Sequence, residues 1–345
     1  MEALNMNSRI LFIQTAFLGD AILTLPAIQK LKEQYPDCIL DVLCIPTTAE
    51  VFQASKSIDN VIILDKRGEH KSLVATYKFV KRLKQNNYSK IYSSHRSFRT
   101  SLIVVLLEIR ESFGFDNSVL FHAYKNLVHY EISKHEVQRN LDLIGYAYND
   151  ENWRIKPEVL VSEEIRNKIK SFLAVKKIEN NFIAIAPGSV WNTKKYPLSY
   201  YEIIIENLIK HNHNVVLIGG KNDFDECENL GLKFGDKVIN SAGMFSVVES
   251  IEIIKNAKLI ITNDSAPTHM AMCAELKTIT LYCSTIPEFG FYPYNKASVS
   301  ISYNDLKCKP CGIHGYEICP IKSFDCGMKN LPQDVINKVE EILSD

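Results

Sequence analysis

The chain has 345 residues, which is too long for one ordinary domain and suits two, each able to bury its own core. Its 40 Lys and Arg are balanced by 40 Asp and Glu, which argues against a bulk nucleic-acid binder while leaving room for a local phosphate site. The longest uncharged apolar run, 102–107, falls far short of the ~18 residues that a membrane span needs.

The polar start Met1–Asn7 carries no leader-like cleavage pattern. A β run over 9–14 then leads through Phe17-Leu18-Gly19-Asp20 into a helical pattern reaching Tyr35, in which Pro26 demands a kink or a later start. Strand-like runs recur at 39–45, 60–65 and 90–94, with the clearest intervening helix over 72–85. A stretch of mixed character, 119–130, precedes a helix over about 134–146, and the polar segment 149–157 reads as a linker. Beyond it five buried strands are expected at 182–186, 214–218, 237–240, 258–262 and 278–283. Ser199-x-x-Glu202 and Ser246-x-x-Glu249 read as capping boxes, and a short amphipathic helix, 332–343, follows. Short apolar strands separated by helices imply parallel sheets covered on both faces. The expected fold is therefore α/β, with two Rossmann-like doubly wound domains facing a central cleft. Their limits are 1–157 and 158–345, with 331–345 a C-terminal helix free to pack back on the first domain.

Ligands of open parallel sheets bind beyond the carboxyl ends of the strands, which singles out three strand-to-helix turns. In the first, Gly19 permits a tight turn and Asp20 sits near a helix N-terminus, either projecting into the cleft or serving as a plain N-cap. In the second, Pro187-Gly188-Ser189 is followed by Lys194 and Lys195, so exposed N–H groups, a hydroxyl and cations suit a phosphate, although such lysines are commonly just solvated. In the third, Asn263-Asp264-Ser265-Ala266-Pro267-Thr268-His269, Pro267 belongs in a helix's first turn and its free N–H groups form an anion site. Asp264 would repel a phosphate, so it should hold the loop or meet a sugar hydroxyl, and His269 reads equally as a core residue. Gly-x-Gly-x-x-Gly and Walker-type patterns are missing, which weighs against dinucleotide oxidoreductases and P-loop kinases.

Five of the nine cysteines (Cys38, Cys44, Cys227, Cys273 and Cys283) fall inside expected strands and helices. The odd count points to a reducing cytoplasm. Cys308-x2-Cys311-x7-Cys319-x6-Cys326 has partly zinc-like spacing; a reduced thiol cluster is the default reading, with these four as weak candidates for a structural zinc.

Taken in order, the Gly19-Asp20 turn with Leu25-Pro26, the Pro-Gly-Ser…Lys-x-Tyr-Pro loop, Gly219-Gly220, Asn263-Asp264-Ser265…His269-x-Ala271 and His135-x-Val137-x-Arg139 resemble glycosyltransferase family 9, the ADP-heptose:lipopolysaccharide heptosyltransferases. The resemblance implies the GT-B fold and transfer of heptose with inversion, from ADP-heptose to a lipid A–core acceptor at the inner membrane surface. It also implies a cytoplasmic enzyme, peripheral on the inner leaflet, with no required cofactor, no nucleic acid and no inferred protein partner. Residue by residue, it casts Asp20 as general base and Gly188, Ser189, Lys194, Asp264, Ser265, His269 and Thr285 as donor contacts. Gly19 and Arg99 become acceptor contacts. A helix-terminal Asp20 should have a lowered pKa. Ala266, Tyr196 and Cys283 depart from the family pattern and leave the donor sugar open. The same fold serving another nucleotide sugar or acceptor, or a catalytically silent binding protein, are the alternatives.

Overall fold

A computed structural model describes residues 8–178 and 181–344; the Met1–Asn7 segment lies outside the described residues. The chain divides into two compact units, 1–160 and 161–345.

The first unit runs β1 (Arg9–Ile13), α1 (Leu18–Gln34), β2 (Ile39–Cys44), α2 (Ala49–Gln53), β3 (Asn60–Ile63), α3 (Leu73–Leu83), β4 (Lys90–Ser93), α4 (Phe98–Leu107), β5 (Glu111–Phe115), β6 (Asn126–Val128) and α5 (Glu136–Leu143). Its sheet is parallel, in the order β3-β2-β1-β4-β5-β6. Helix α1 runs unbroken through Pro26. β5 was not visible as a strand: its sequence, Glu-Ser-Phe-Gly-Phe, has neither an apolar run nor a β-branched residue.

The second unit runs α6 (Glu163–Val175), β7 (Phe182–Ala186), α7 (Leu198–Lys210), β8 (Asn214–Leu217), α8 (Phe224–Gly231), β9 (Val238–Asn240), α9 (Val247–Lys255), β10 (Ile260–Asn263), α10 (Ala266–Ala274), β11 (Thr278–Tyr282), β12 (Val299–Ser302), α11 (Asp325–Met328) and α12 (Pro332–Ser344). Its order, β12-β11-β10-β7-β8-β9, is the same winding read from the other edge. Each sheet therefore reverses direction beside its first strand, between β1 and β4 in one unit and between β7 and β10 in the other. These reversals are where doubly wound sheets hold ligands.

Continuous apolar strands such as Phe-Ile-Ala-Ile-Ala of β7 are fully buried, as two-sided coverage requires. The Ser246 capping box forms, but α7 starts at Leu198 with Pro197 as its cap. Ser199 thus sits inside the first turn and caps nothing. Helix α12 belongs to the second unit: Val335, Ile336, Val339 and Ile342 pack into that unit's core with Tyr201 and Ile205. The segment 149–157 is a strapped turn more than a free linker. Gln29 on α1 donates to Lys156 O and accepts from Glu158 N, and Leu160 N donates to Ala54 O, so the unit ends at Leu160. No helix among the described residues is long and apolar enough to cross a membrane.

Candidate active site

At the first reversal, Gln14 joins the turns after β1 and β4. Its Nε2 donates to Thr24 Oγ1 at 3.0 Å and to Ser94 Oγ at 2.8 Å, while its Oε1 accepts from Ala16 N at 3.1 Å. Phe17 is the N-cap of α1, so Asp20 is not the cap; it lies in the first turn. Gly19 is helical and has no positive φ, so the turn does not depend on glycine's left-handed freedom.

Asp20 is half-buried. Burial, and next the charge of Glu136, push its carboxyl up to about 7, against weaker pulls from the N–H groups of Asp20 and Phe17 and from Arg96. This reverses the lowered pKa expected of a helix-terminal Asp, because burial, and after it the like charge of Glu136 on α5, outweigh the N–H groups of the helix start. Glu136 is held rigidly there. Its Oε2 accepts from Tyr130 Oη at 2.9 Å and from Arg139 Nη1 at 2.8 Å. Arg139, fully buried, also donates to the carbonyls of Glu131 and Ile132, and Arg96 stacks over the Tyr130 ring at 4.0 Å. A carboxyl crowded by protein and by a second carboxyl takes up a proton nearer neutral pH than a free one does.

At the same reversal stand Lys66, His95 and Arg96, which motif reading missed, together with Arg99, which it named. Lys66 Nζ donates to Thr15 O at 2.6 Å, and burial, Arg99 and Arg67 lower its pKa. His95 Nδ1 lies 2.8 Å from both Thr15 Oγ1 and Thr100 Oγ1; burial, Lys66 and Arg96 lower it to about 4, so it is neutral at pH 7. Arg99 donates to the carbonyls of His70 and Lys71, each at 2.8 Å, and of Lys66 at 3.4 Å. Its guanidinium holds the 64–72 loop. The available signal for Lys66, His95 and Arg96 was position alone, at the ends of β3 and β4.

At the second reversal, Asn263 ends β10 and ties the two turns together. Its Nδ2 donates to Pro187 O at 2.6 Å, and its Oδ1 accepts from Tyr196 N and Tyr201 Oη at 3.0 Å each. Asn263 stood in the quoted motif but was not among the candidates. Gly188 is buried, and a Cβ there would fall 2.3 Å from the Asp223 carboxylate, which itself accepts from Gly220 N at 2.8 Å. The site thus uses glycine for close approach. Ser189 follows, half-buried. Ser265 occupies the N-cap position of α10 without a side-chain capping bond, with Pro267 in the first turn, and its Oγ lies 3.4 Å from Gly188 O.

Lys194 is not a free cation. Its Nζ lies 2.6 Å from Asp264 Oδ2, which also accepts from Thr285 Oγ1 at 2.7 Å. Asp264 therefore orients Lys194, and its charge is balanced. His269 is buried; burial lowers its pKa to about 4, with Asp264 opposing and Lys194 assisting. Its Nδ1 finds no hydrogen-bond partner among the described residues. The structure thus gathers Gly188, Lys194, Asp264, Ser265, His269 and Thr285 at one reversal.

Residues 76–316 match the family model described as glycosyltransferase family 9 (heptosyltransferase). The chain belongs to that family. It is 22% identical to lipooligosaccharide heptosyltransferase 2 of Campylobacter jejuni subsp. jejuni, over 94% of this chain and 96% of that one. Among solved structures, it resembles the family 9 glycosyl transferase of Veillonella parvula with a TM-score of 0.84 and 19% identity, covering 99% of both chains. It also resembles E. coli heptosyltransferase WaaC with ADP-2-deoxy-2-fluoro heptose, with a TM-score of 0.72 and 17% identity, covering 96% of this chain and 99% of that one. The fold is GT-B, and the family makes this chain a glycosyltransferase.

In this family member the four late cysteines line one cavity of about 220 Å³, yet no group of three or more His, Cys, Asp or Glu among the described residues is placed to hold a metal. Their segment is docked on the second-unit site. Thr193 N donates to Tyr316 O at 3.0 Å, Tyr316 N donates to Thr193 Oγ1 at 2.7 Å, and Cys311 N donates to Ser284 O at 2.8 Å. The thiols differ. Burial pushes Cys326 up to about 11. Burial also raises Cys319, but the N–H groups of Phe324, Ile321, Lys322 and Ser323 outweigh it and bring its pKa below the usual value.

Proposed function

We propose that the chain transfers heptose from ADP-heptose to a lipid A–core acceptor at the cytoplasmic surface of the inner membrane, with inversion at the anomeric carbon. The single observation that carries the catalytic part is Asp20, a turn-borne carboxyl whose pKa is raised to about 7. In this reading the acceptor oxygen attacks the anomeric carbon of heptose. Its proton passes to Asp20, and the bond from that carbon to the diphosphate breaks, leaving its electron pair on ADP. The charge developing on ADP falls to the second-unit turn: Lys194 held by Asp264, Ser189, and the positive N-terminal end of α10 beside Ser265. Thr285 fixes Asp264, and His269, neutral and with an unpaired Nδ1, suits a hydrogen bond to the donor. Arg99 and Gly19 serve the acceptor side, Arg99 by shaping the 64–72 loop.

The donor assignment draws on the ADP-sugar named for the WaaC structure. A silent binding protein has no use for a carboxyl of raised pKa at this position, which favours catalysis. The test is transfer by the purified chain, given a panel of ADP-, UDP- and GDP-sugars and a heptose-deficient core acceptor. ADP-heptose should be the donor used. Transfer from a UDP- or GDP-sugar in preference would overturn the donor assignment, and turnover of none would favour the silent protein.

A further inference from the structure

Helix α3 turns to solvent a face that the fold does not use. Ser72 caps it, its Oγ accepting from Ala75 N at 3.1 Å, and Thr76, Phe79, Val80 and Leu83 form its buried stripe. On the other side Leu73, Val74 and Tyr77 are 61%, 66% and 57% exposed. At the α-helical repeat these three fall within an arc of roughly 100°. Single exposed apolar residues need no explanation, but three clustered on one turn point to a partner.

The charges around them identify its chemistry. Residues 71–84 contain Lys71, Lys78, Lys81, Arg82 and Lys84, and no Asp or Glu. Arg82 lies 3.6 Å from Glu69 and Lys84 lies 2.7 Å from Glu108, whereas Lys71, Lys78 and Lys81 join no ion pair among the described residues. A hydrophobic partner alone would leave these cations unmatched. An anionic bilayer matches both features: its interface takes up the apolar side chains, tyrosine included, and its phosphates meet the lysines, whose stems reach along the apolar surface. The helix is also anchored where it would matter. Arg99 grips the carbonyls of Lys66, His70 and Lys71 immediately before α3, linking it to the first turn of α4.

We propose that α3 is a membrane-contact helix that seats the first unit on an anionic lipid bilayer through Leu73, Val74, Tyr77, Lys78 and Lys81. Its purpose rests on the lipid-linked acceptor argued above, but its test involves no sugar. The full chain is sedimented with vesicles of phosphatidylethanolamine mixed with phosphatidylglycerol, and with vesicles of phosphatidylcholine alone. The wild-type chain should bind only the anionic vesicles, and less so as salt rises. Lys78→Gln with Lys81→Gln should weaken binding by about fivefold per lysine. Leu73→Ser, Val74→Ser and Tyr77→Ser together should abolish it. ADP affinity and melting temperature, measured alongside, should stay at the wild-type values. The proposal is overturned if the wild-type chain ignores anionic vesicles, if both variant sets bind as well as wild type, or if the apolar substitutions instead break a dimer that forms without lipid. Transfer to a delipidated acceptor separates the two readings: its absence in every variant and in wild type would sink the proposed function while leaving the membrane helix standing.

Discussion

The two units place an aspartate at the same kind of position, the sheet reversal, and treat it in opposite ways. Asp264 is neutralised: Lys194 lies 2.6 Å away and Thr285 donates at 2.7 Å. Asp20 instead has Glu136 as its strongest charged neighbour, with only a weaker counter-pull from Arg96. Topology supplies the position, and the neighbours decide the chemistry. A paired carboxylate positions a cation, whereas a crowded one takes up a proton.

The largest effect should come from removing the crowded carboxyl. Asp20→Asn keeps the shape and loses the proton acceptor, so kcat should fall by about 10²–10⁴ while ADP affinity holds. A fall of less than about threefold, well under the smallest effect expected of a base, would end the base assignment. Next in size is the paired site. Lys194→Ala removes a charged donor and leaves Asp264 bare, so ADP should bind about 10–100-fold more weakly. Calorimetric titration with adenosine should show little change; equal loss for both ligands would mean that Lys194 only supports the fold.

A smaller effect follows from linkage. Asp20 has a raised pKa in the folded chain, so between its unfolded value near 3.8 and about 7 the folded state binds more protons and stability falls as pH rises. Asp20→Asn escapes this penalty. Its melting temperature should exceed that of wild type by a margin that grows from pH 5 to pH 8. A constant margin would show that burial does not strain Asp20. The smallest effect is chemical. Among the four late cysteines, the lowered pKa of Cys319 should make it the first alkylated by iodoacetamide at neutral pH, as read by peptide mass spectrometry. Faster labelling of Cys326 would contradict the contrast between them.

Much of this was legible in the chain because the ligand-bearing turns follow strands that announce themselves. The apolar runs of β1, β7 and β10 locate Asp20, Gly188 and Asp264 without reference to any neighbour. What stayed hidden was tertiary. Nothing local says that burial, with Glu136 on α5, would reverse the pKa expected from a helix terminus, or that Asp264 would claim Lys194. Asn263 was passed over because its work, bridging two turns through Pro187 O and Tyr201 Oη, exists only once the sheet is assembled. β5 and β12 escaped because short, polar strands such as Val-Ser-Ile-Ser owe their state to pairing with a neighbour, here β11. The Ser199 box failed for a different reason. Pro197 already supplies a helix start, since its carbonyl accepts from Tyr200 N and Tyr201 N.

The central claim, that burial and the neighbouring charge of Glu136 together set Asp20 as a base near neutrality, is tested most directly by the pH dependence of kcat/KM. The wild-type profile should rise tenfold per pH unit on its acidic side and level off near pH 7, where Asp20 loses its proton. In Glu136→Gln the like charge is gone, so the acidic limb should move to lower pH with the plateau rate largely kept; in Arg96→Gln the counter-charge is gone, and the limb should move to higher pH. A profile flat from pH 5 to pH 8 in wild type, or limbs unmoved by both substitutions, would contradict the account.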